Sequence, residues 1–254
     1  MNRVTEMVKH LIIINVIFFA GTYLMAEMNG VAFTGSKFFE YFALFFPENP
    51  LFQPWQFLTS MFMHGGIMHI VFNMYGLWAF GSPLESMWGK YKFLFFYVAA
   101  GLGAGIIYTL VNYYQFNIVN DQLIAAGYTP EGIRTVLETG SAKGIDVTQS
   151  QFNNFFHVHN IPAVGASGAI YGILVAFGFK FPNSEMMLMF LPYPIKAKYF
   201  IPAILALDLF LGLSGKSLFG GSGTGIAHFA HLGGALVGYL LMLYFQRNQV
   251  NRWD

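Results

Sequence analysis

Apolar residues run through this chain in stretches too long for a half-buried strand and too unbroken for one face of a surface helix. Six stretches stand out, at residues 10–27, 63–81, 92–113, 167–182, 198–214 and 226–246. A helix that crosses a bilayer needs about 20 mainly apolar residues, and each stretch approaches that length. The first follows Arg3 and Lys9 and is apolar from Leu11 to Ala26. A cleaved signal peptide is the other reading of such a segment, but it should end on small residues. Glu27, Met28, Asn29 and Gly30 follow instead, so an uncleaved first helix is expected.

Two of the polar breaks are long. Asn29 to Met61 mixes aromatics (Phe38, Phe39, Tyr41, Phe42, Phe45, Phe46) with Pro47, Pro50 and Pro54, a pattern of short helices lying in the membrane interface. Tyr114 to Val164, between the third and fourth helices, is the most soluble stretch. Within it Asp121–Ala126 and Pro130–Thr139 read as short helices, the second with Thr129 as N-cap and Pro130 as first helical residue. No internal repeat, low-complexity tract or second domain interrupts the pattern, so residues 1–254 read as one membrane domain.

Composition sharpens the class. Hydrophobic residues make up 56% and charged residues only 10% of 254 residues, against about 45–50% and about 25% in soluble domains. Mean hydropathy is +0.52. So few charges cannot cover the surface of a soluble domain, which excludes an ordinary cytosolic enzyme as well as a disordered chain. A net charge of +1 leaves no electrostatic footprint for nucleic acid. The absence of Cys excludes disulfides, thiolate metal sites and a Cys nucleophile. An all-α, multi-pass protein in a lipid bilayer remains.

Lys and Arg orient it. With the N-terminus inside, Arg3, Lys9, Lys90, Lys92, Lys180, Lys196, Lys198, Arg247 and Arg252 lie inside, and Lys37, Arg134, Lys143 and Lys216 outside. Nine against four puts both termini in the cytoplasm, and a bacterial inner membrane is the expected location.

Several polar residues sit where the bilayer makes them expensive, and such residues are usually functional. His69 and Asn73 are four apart, on one face of the second helix, with His64 just above. Ser167 opens the fourth stretch. His228 and His231 lie on the sixth, Asp208 inside the fifth. Gly168 with Gly172, and Gly234 with Gly238, are spaced so that two helix backbones can approach closely. If the fourth and sixth helices pack through them, Ser167 and His231 meet on the outer half of the bundle. A serine hydroxyl needs a base to become a nucleophile, and a histidine can be that base. His69, Asn73 and the Ser167 backbone N–H are candidate donors to a developing oxyanion. Each feature alone has a plainer reading: packing glycines, hydrogen-bonded core histidines, an Asp208 that is neutral or near a helix end, and Glu85 as an ordinary inside-interface charge.

Taken together, the motifs closely resemble the rhomboid intramembrane serine proteases. The run from Trp55 to Met74, with His64, His69 and Asn73, is similar to the family's His and His-x-x-x-Asn signature. Gly165-Ala166-Ser167-Gly168 matches its Gly-x-Ser-Gly motif. Tyr171 matches the aromatic that stacks on the catalytic histidine, and Ala230 to Gly238 its Ala-His-x-x-Gly-x-x-x-Gly helix. The resemblance extends from Trp55 to Tyr244. It implies a six-transmembrane-helix rhomboid-like bundle with Ser167 as nucleophile, His231 as general base and acid, and His69, Asn73 and the Ser167 backbone as oxyanion hole. Gly165, Gly168, Tyr171, Gly234 and Gly238 support them. His228 has no catalytic place in the pattern. Gln56 stands where the family commonly has Arg after the loop Trp, which removes the usual ion pair of the first loop. The resemblance implies no cofactor and no metal. The implied partners are transmembrane protein substrates that enter laterally past the fifth helix and the first loop.

Three other readings are distinguishable. A catalytically silent relative that binds membrane helices should lack Ser167 or His231. A transporter should show an internal repeat and matched broken helices. A zinc enzyme using His64, His69, His228 and His231 should carry a His-Glu-x-x-His or a nearby acid, and neither occurs in these motifs.

Overall fold

The computed structural model describes residues 3–186, 193–214 and 226–250. Lys216 and Arg252, both in the orientation tally, lie outside them. Helix α1 (Glu6–Asn29) leads into the first long loop, which carries the short helices α2 (Lys37–Phe42) and α3 (Gln56–Thr59). Next come α4 (Ile67–Gly76) and α5 (Ser82–Trp88), then α6 (Lys90–Ala125). A second excursion holds α7 (Pro130–Thr139) and α8 (Gln149–Asn160), before α9 (Ser167–Lys180), α10 (Ala197–Ser214) and α11 (Ile226–Val250). One two-residue antiparallel pair, β1 (Glu185–Met186) with β2 (Ile195–Lys196), joins α9 to α10. This is an all-α membrane protein. Among the described residues four helices, α1, α6, α10 and α11, are long and apolar enough to cross a bilayer, and α9 is a shorter apolar helix.

The differences from the sequence expectations are instructive. The second apolar stretch does not begin as helix at residue 63. Met63 to Gly66 are non-helical, α4 starts at Ile67, and a π-type turn over Leu77–Gly81 joins it to α5. His64 is therefore on a loop, not on the helix face of His69. The expected separate helix Asp121–Ala126 is instead the last part of α6, which runs unbroken for 36 residues. At 1.5 Å per residue that is about 54 Å, well beyond a hydrocarbon core of about 30 Å. The second loop thus begins after Ala125 rather than at Tyr114. The protruding end of α6 carries Phe116, Val119 and Leu123 into a second apolar cluster with Val136 of α7 and Phe155 and Val158 of α8. Thr129 caps α7 by accepting from the Gly132 N–H at 3.2 Å, with Pro130 in its first turn.

The main core is built where α9 is enclosed. Phe93, Phe96 and Tyr97 of α6, Ile173 of α9 and Met242 of α11 are fully buried there. With 14 residues, α9 spans only about 21 Å, less than a hydrocarbon core of about 30 Å. Non-helical backbone at membrane depth is tolerated only where protein or a cavity shields it. The loop before α4 and the segment before α9 meet that condition by pairing with each other: the Gly165 N–H donates to the Ser60 carbonyl at 3.0 Å.

Glu85 is not a surface charge. Its side chain is buried on α5 and accepts the Met7 N–H at 2.8 Å, the Val8 N–H at 2.9 Å and the Thr5 hydroxyl. Thr5 precedes α1 but makes no side-chain cap of its own. A carboxylate from 77 to 80 residues away therefore satisfies the free N–H groups at the start of α1 and meets the positive end of its dipole. Glu85→Ala should destabilise by about 2 kcal/mol, because hydrogen bonds to charge are lost and buried donors are orphaned. In a detergent melting experiment that is a Tm lower by about 5 °C, with Glu85→Gln intermediate; an unchanged Tm would show that α1 does not depend on this cap.

Candidate active site

Ser167 is the first residue of α9, so its backbone N–H is among those without an intrahelical partner. Its hydroxyl lies 3.0 Å from Nε2 of His231 on α11. Tyr171, one turn along α9, stacks on the His231 ring with centroids 4.2 Å apart and planes 10° from parallel. These contacts exist because α9 and α11 touch backbone to backbone. A Cβ on Gly234 would collide with the Gly168 carbonyl, and one on Gly238 with the Gly172 backbone. A Cβ on Gly172 would come within 2.9 Å of the Gly234 oxygen and 2.8 Å of Ala100 Cβ, so α6 closes the third side with its own small residues.

Gly165 has φ +127, a conformation that favours glycine, and the absence of its side chain leaves a usable space. The point where its Cβ would stand is 2.8 Å from His69 Nε2 and 3.5 Å from Ser167 Oγ. Nδ1 of His69 accepts the Gly65 N–H at 3.3 Å. That contact leaves the ring proton on Nε2, the nitrogen facing the space beside Ser167. Asn73 is buried, and its amide donates to the His69 carbonyl at 2.8 Å. One of its two amide hydrogens is thus spent within α4. His64 is buried beside His69, ring centroids 5.1 Å apart.

A cavity of about 260 Å³ opens onto the pair. Ser167, Gly165 and His231 form one wall, and Ala104 and Tyr108 of α6 another. His157 and Val158 of α8 with Ile161 and Pro162 complete it. The soluble-looking loop therefore reaches the site itself, which its composition did not reveal.

Gln56 has taken over the first loop. It is fully buried; its oxygen accepts from the N–H groups of Phe45 and Gln53 at 3.2 and 3.1 Å, and its amide donates to the carbonyls of Glu40 and Leu51 at 3.2 and 2.9 Å. A neutral residue with both donors and acceptors binds the loop backbone at the position where the family commonly has Arg.

Two residues given no catalytic place lie next to His231. Asp208 of α10 is bonded through Oδ1 to Nδ1 of His228, and its Oδ2 is 3.4 Å from Nδ1 of His231. The signal for Asp208 was present in the sequence: it is the lone acid of α10, and a membrane acid needs a partner. Asp208, His228 and His231 are also the set of potential metal ligands that come together among the described residues; His64 and His69 are not part of it.

Comparison with known proteins decides the family. The family model described as the Rhomboid domain matches residues 51–130 and 136–248, well over half of the chain. The chain belongs to the rhomboid family. This rhomboid is 29% identical over 188 residues to the presenilin-associated rhomboid-like protein, mitochondrial, of Bos taurus, covering 74% of this chain and 37% of that protein. It is 26% identical over 204 residues to the rhomboid protease AarA of Providencia stuartii, covering 75% and 56%. It is 28% identical over 180 residues to RHOMBOID-like protein 12, mitochondrial, of Arabidopsis thaliana, covering 71% and 43%. The chain thus spans roughly a third to just over half the length of these curated relatives.

The glycine contact makes a physical demand on any rhomboid activity. Gly234→Leu must push α11 off α9 and carry His231 away from Ser167. The loss in stability should exceed the roughly 1–3 kcal/mol of ordinary overpacking, because backbone rather than a flexible side chain is in the way. Gly35→Ala, with nothing within 4 Å of the added carbon, should stay within about 0.5 kcal/mol of the parent. Equal melting temperatures for Gly234→Leu and Gly35→Ala in detergent would refute the close contact.

Proposed function

We propose that this rhomboid is an intramembrane serine protease that hydrolyses peptide bonds in or near the transmembrane segments of other membrane proteins. The observation that carries the proposal is the Ser167–His231 pair, 3.0 Å apart across two helices at the wall of a cavity. In this reading the chain is one rhomboid-like membrane domain over residues 1–254, with six crossings: α1, the composite of α4 and α5, α6, α9, α10 and α11. His231 Nε2 takes the Ser167 proton as Oγ attacks the scissile carbonyl carbon, then returns it to the leaving amine. Water enters the acyl-enzyme by the same route in reverse. His69 Nε2–H, the Ser167 N–H and Asn73 hold the oxyanion, in the space that Gly165 leaves open. No metal or cofactor takes part.

Substrate helices enter past α10 and the first loop, and α8 meets the part of the substrate that emerges from the membrane. Both termini are placed in the cytoplasm by the Lys and Arg excess. A bacterial inner membrane is part of the proposal; two of the three relatives described above are named as mitochondrial and the third is from a bacterium. A silent, helix-binding relative is the second reading. The names of the rhomboid-like relatives motivate it, and the retained Ser167 and His231 weigh against it.

Ser167→Ala and His231→Ala should each abolish cleavage of a membrane-embedded model substrate while the protein inserts and melts normally. The double variant should be no worse than either single one, since the pair acts as a unit. Labelling of Ser167 by a fluorophosphonate should vanish in both. Undiminished turnover in Ser167→Ala would end the protease reading.

Asn73 gives a separate outcome. As one oxyanion donor it should, when changed to Ala, lower kcat by about 10²-fold with little change in KM. Its bond to the His69 carbonyl offers a purely structural role instead. A lower Tm with normal kcat would assign it that role and leave the hole to His69 and the backbone.

A further inference from the structure

We propose that Asp208 is a positioning residue for His231, steadied by His228, so that serine, imidazole and carboxylate form a chain across α9, α11 and α10. The inference rests on the protease reading of Ser167 and His231. Asp208 is 4% exposed in the middle of α10, and an ionisable group at such depth persists only with partners. Its two oxygens face two histidines three residues apart on α11. Oδ1 is bonded to His228 Nδ1, while Oδ2 stands 3.4 Å from His231 Nδ1. Neither Asp208 Oδ2 nor His231 Nδ1 has another hydrogen-bond partner among the described residues. Two buried polar atoms that lack partners and face each other across 3.4 Å complete each other with a small rotation of the carboxylate.

The separation exceeds an ordinary N–H···O bond. Catalytic hydrogen bonds in unliganded sites are often long and tighten as charge develops. Here the charge develops on the imidazole itself. The Ser167 Oγ–H proton moves to His231 Nε2 while Oγ bonds to the substrate carbonyl carbon, whose π electrons become the oxyanion. The ring is then an imidazolium, its Nδ1 proton remains on Nδ1, and Asp208 remains a carboxylate that holds it. His228 anchors the far oxygen and stops the carboxylate turning away. Tyr171 stacks on the ring face and opposes its tilting out of plane. A metal ion is the competing occupant of these three groups. A bound metal would make the wild-type activity sensitive to a chelator, whereas the carboxylate–imidazole chain predicts full activity in EDTA, and strong metal-reversible inhibition would overturn it.

The test uses the full chain in proteoliposomes, with a model transmembrane substrate. Asp208→Asn keeps the shape and removes the charge. It should lower kcat by about 10²-fold or more, with KM within about twofold of the parent. Fluorophosphonate labelling of Ser167 should slow in parallel, and Asp208→Glu should recover part of the rate. A wild-type kcat and labelling rate in Asp208→Asn would overturn the inference while leaving the protease reading intact. Failure of the wild-type chain to label at Ser167 would remove both. Should Asp208→Asn not fold, nitrogen-15 histidine NMR of the wild type answers the same question, with His231→Ala for assignment. A downfield, slowly exchanging proton on Nδ1 of His231 supports the contact, and its absence overturns it.

Discussion

At Gly168 and Gly234 the backbones of α9 and α11 meet with no side chain between them, and the rest of the site is arranged around that meeting. In a bilayer the lipid is as apolar as a leucine side chain, so helices gain nothing by merely hiding from it; close packing and polar contacts must hold them together. Gly172 and Gly238 repeat the contact one turn deeper, and Ala100 and Ala104 of α6 fill the groove. Ser167 precedes the contact on one helix and His231 precedes it on the other. Their 3.0 Å separation therefore follows from backbone geometry rather than from two flexible side chains searching for each other. Side chains held in place by such a support have little orientational entropy left to lose.

A second constraint, the cost of burying a polar group without a partner, accounts for three buried residues. Glu85 finds three donors at the start of α1, Gln56 finds five backbone groups of the first loop, and Asp208 finds His228. None of these three touches Ser167. Each ties together segments that are distant in sequence, and each does so where a hydrophobic side chain would leave backbone groups or charge unsatisfied. Other buried polar residues, Asn15, Thr22 and Asn73 among them, bond within their own helix.

That distribution explains what could be read in advance. The apolar stretches, the glycine spacings, Ser167, His69 and His231 are local patterns, and local patterns survive in a one-dimensional sequence. The cap on Thr129 and Pro130 was legible for the same reason. The unbroken length of α6 was not, because Asn117, Asn120 and Asp121 look like loop residues. Tertiary packing of Phe116, Val119 and Leu123 under α7 and α8 overrides that local signal. The late start of α4 was hidden inside an apolar run, since hydropathy does not distinguish helix from shielded loop. Glu85 and Gln56 were misread or left in doubt because their partners are chain segments whose positions only the fold defines. Asp208 announced its need of a partner, but not which one.

Ser167 is connected to the first loop through main-chain hydrogen bonds, and this links the parts of the molecule that sequence reading kept separate. After α8 the chain passes Ala163, which exchanges both backbone hydrogen bonds with Leu44, at 2.9 and 2.8 Å. Asn49 of the same loop donates to the His159 carbonyl at 2.7 Å. Two residues after Ala163, Gly165 bonds to Ser60, and two residues later stands Ser167. Gln56 lies between Leu44 and Ser60 in sequence and holds the backbone of Phe45, Leu51 and Gln53. The strand that delivers the serine is thus braced by the first loop on one side and by α8 on the other. α8 in turn rests on the protruding end of α6, whose inner half packs against the glycines of α9. Because α6 is one continuous helix from the glycine contact to the second apolar cluster, the loop that looked like a soluble appendage packs on the same element as Ser167 and His231. Its residues His157, Val158, Ile161 and Pro162 line the cavity beside them.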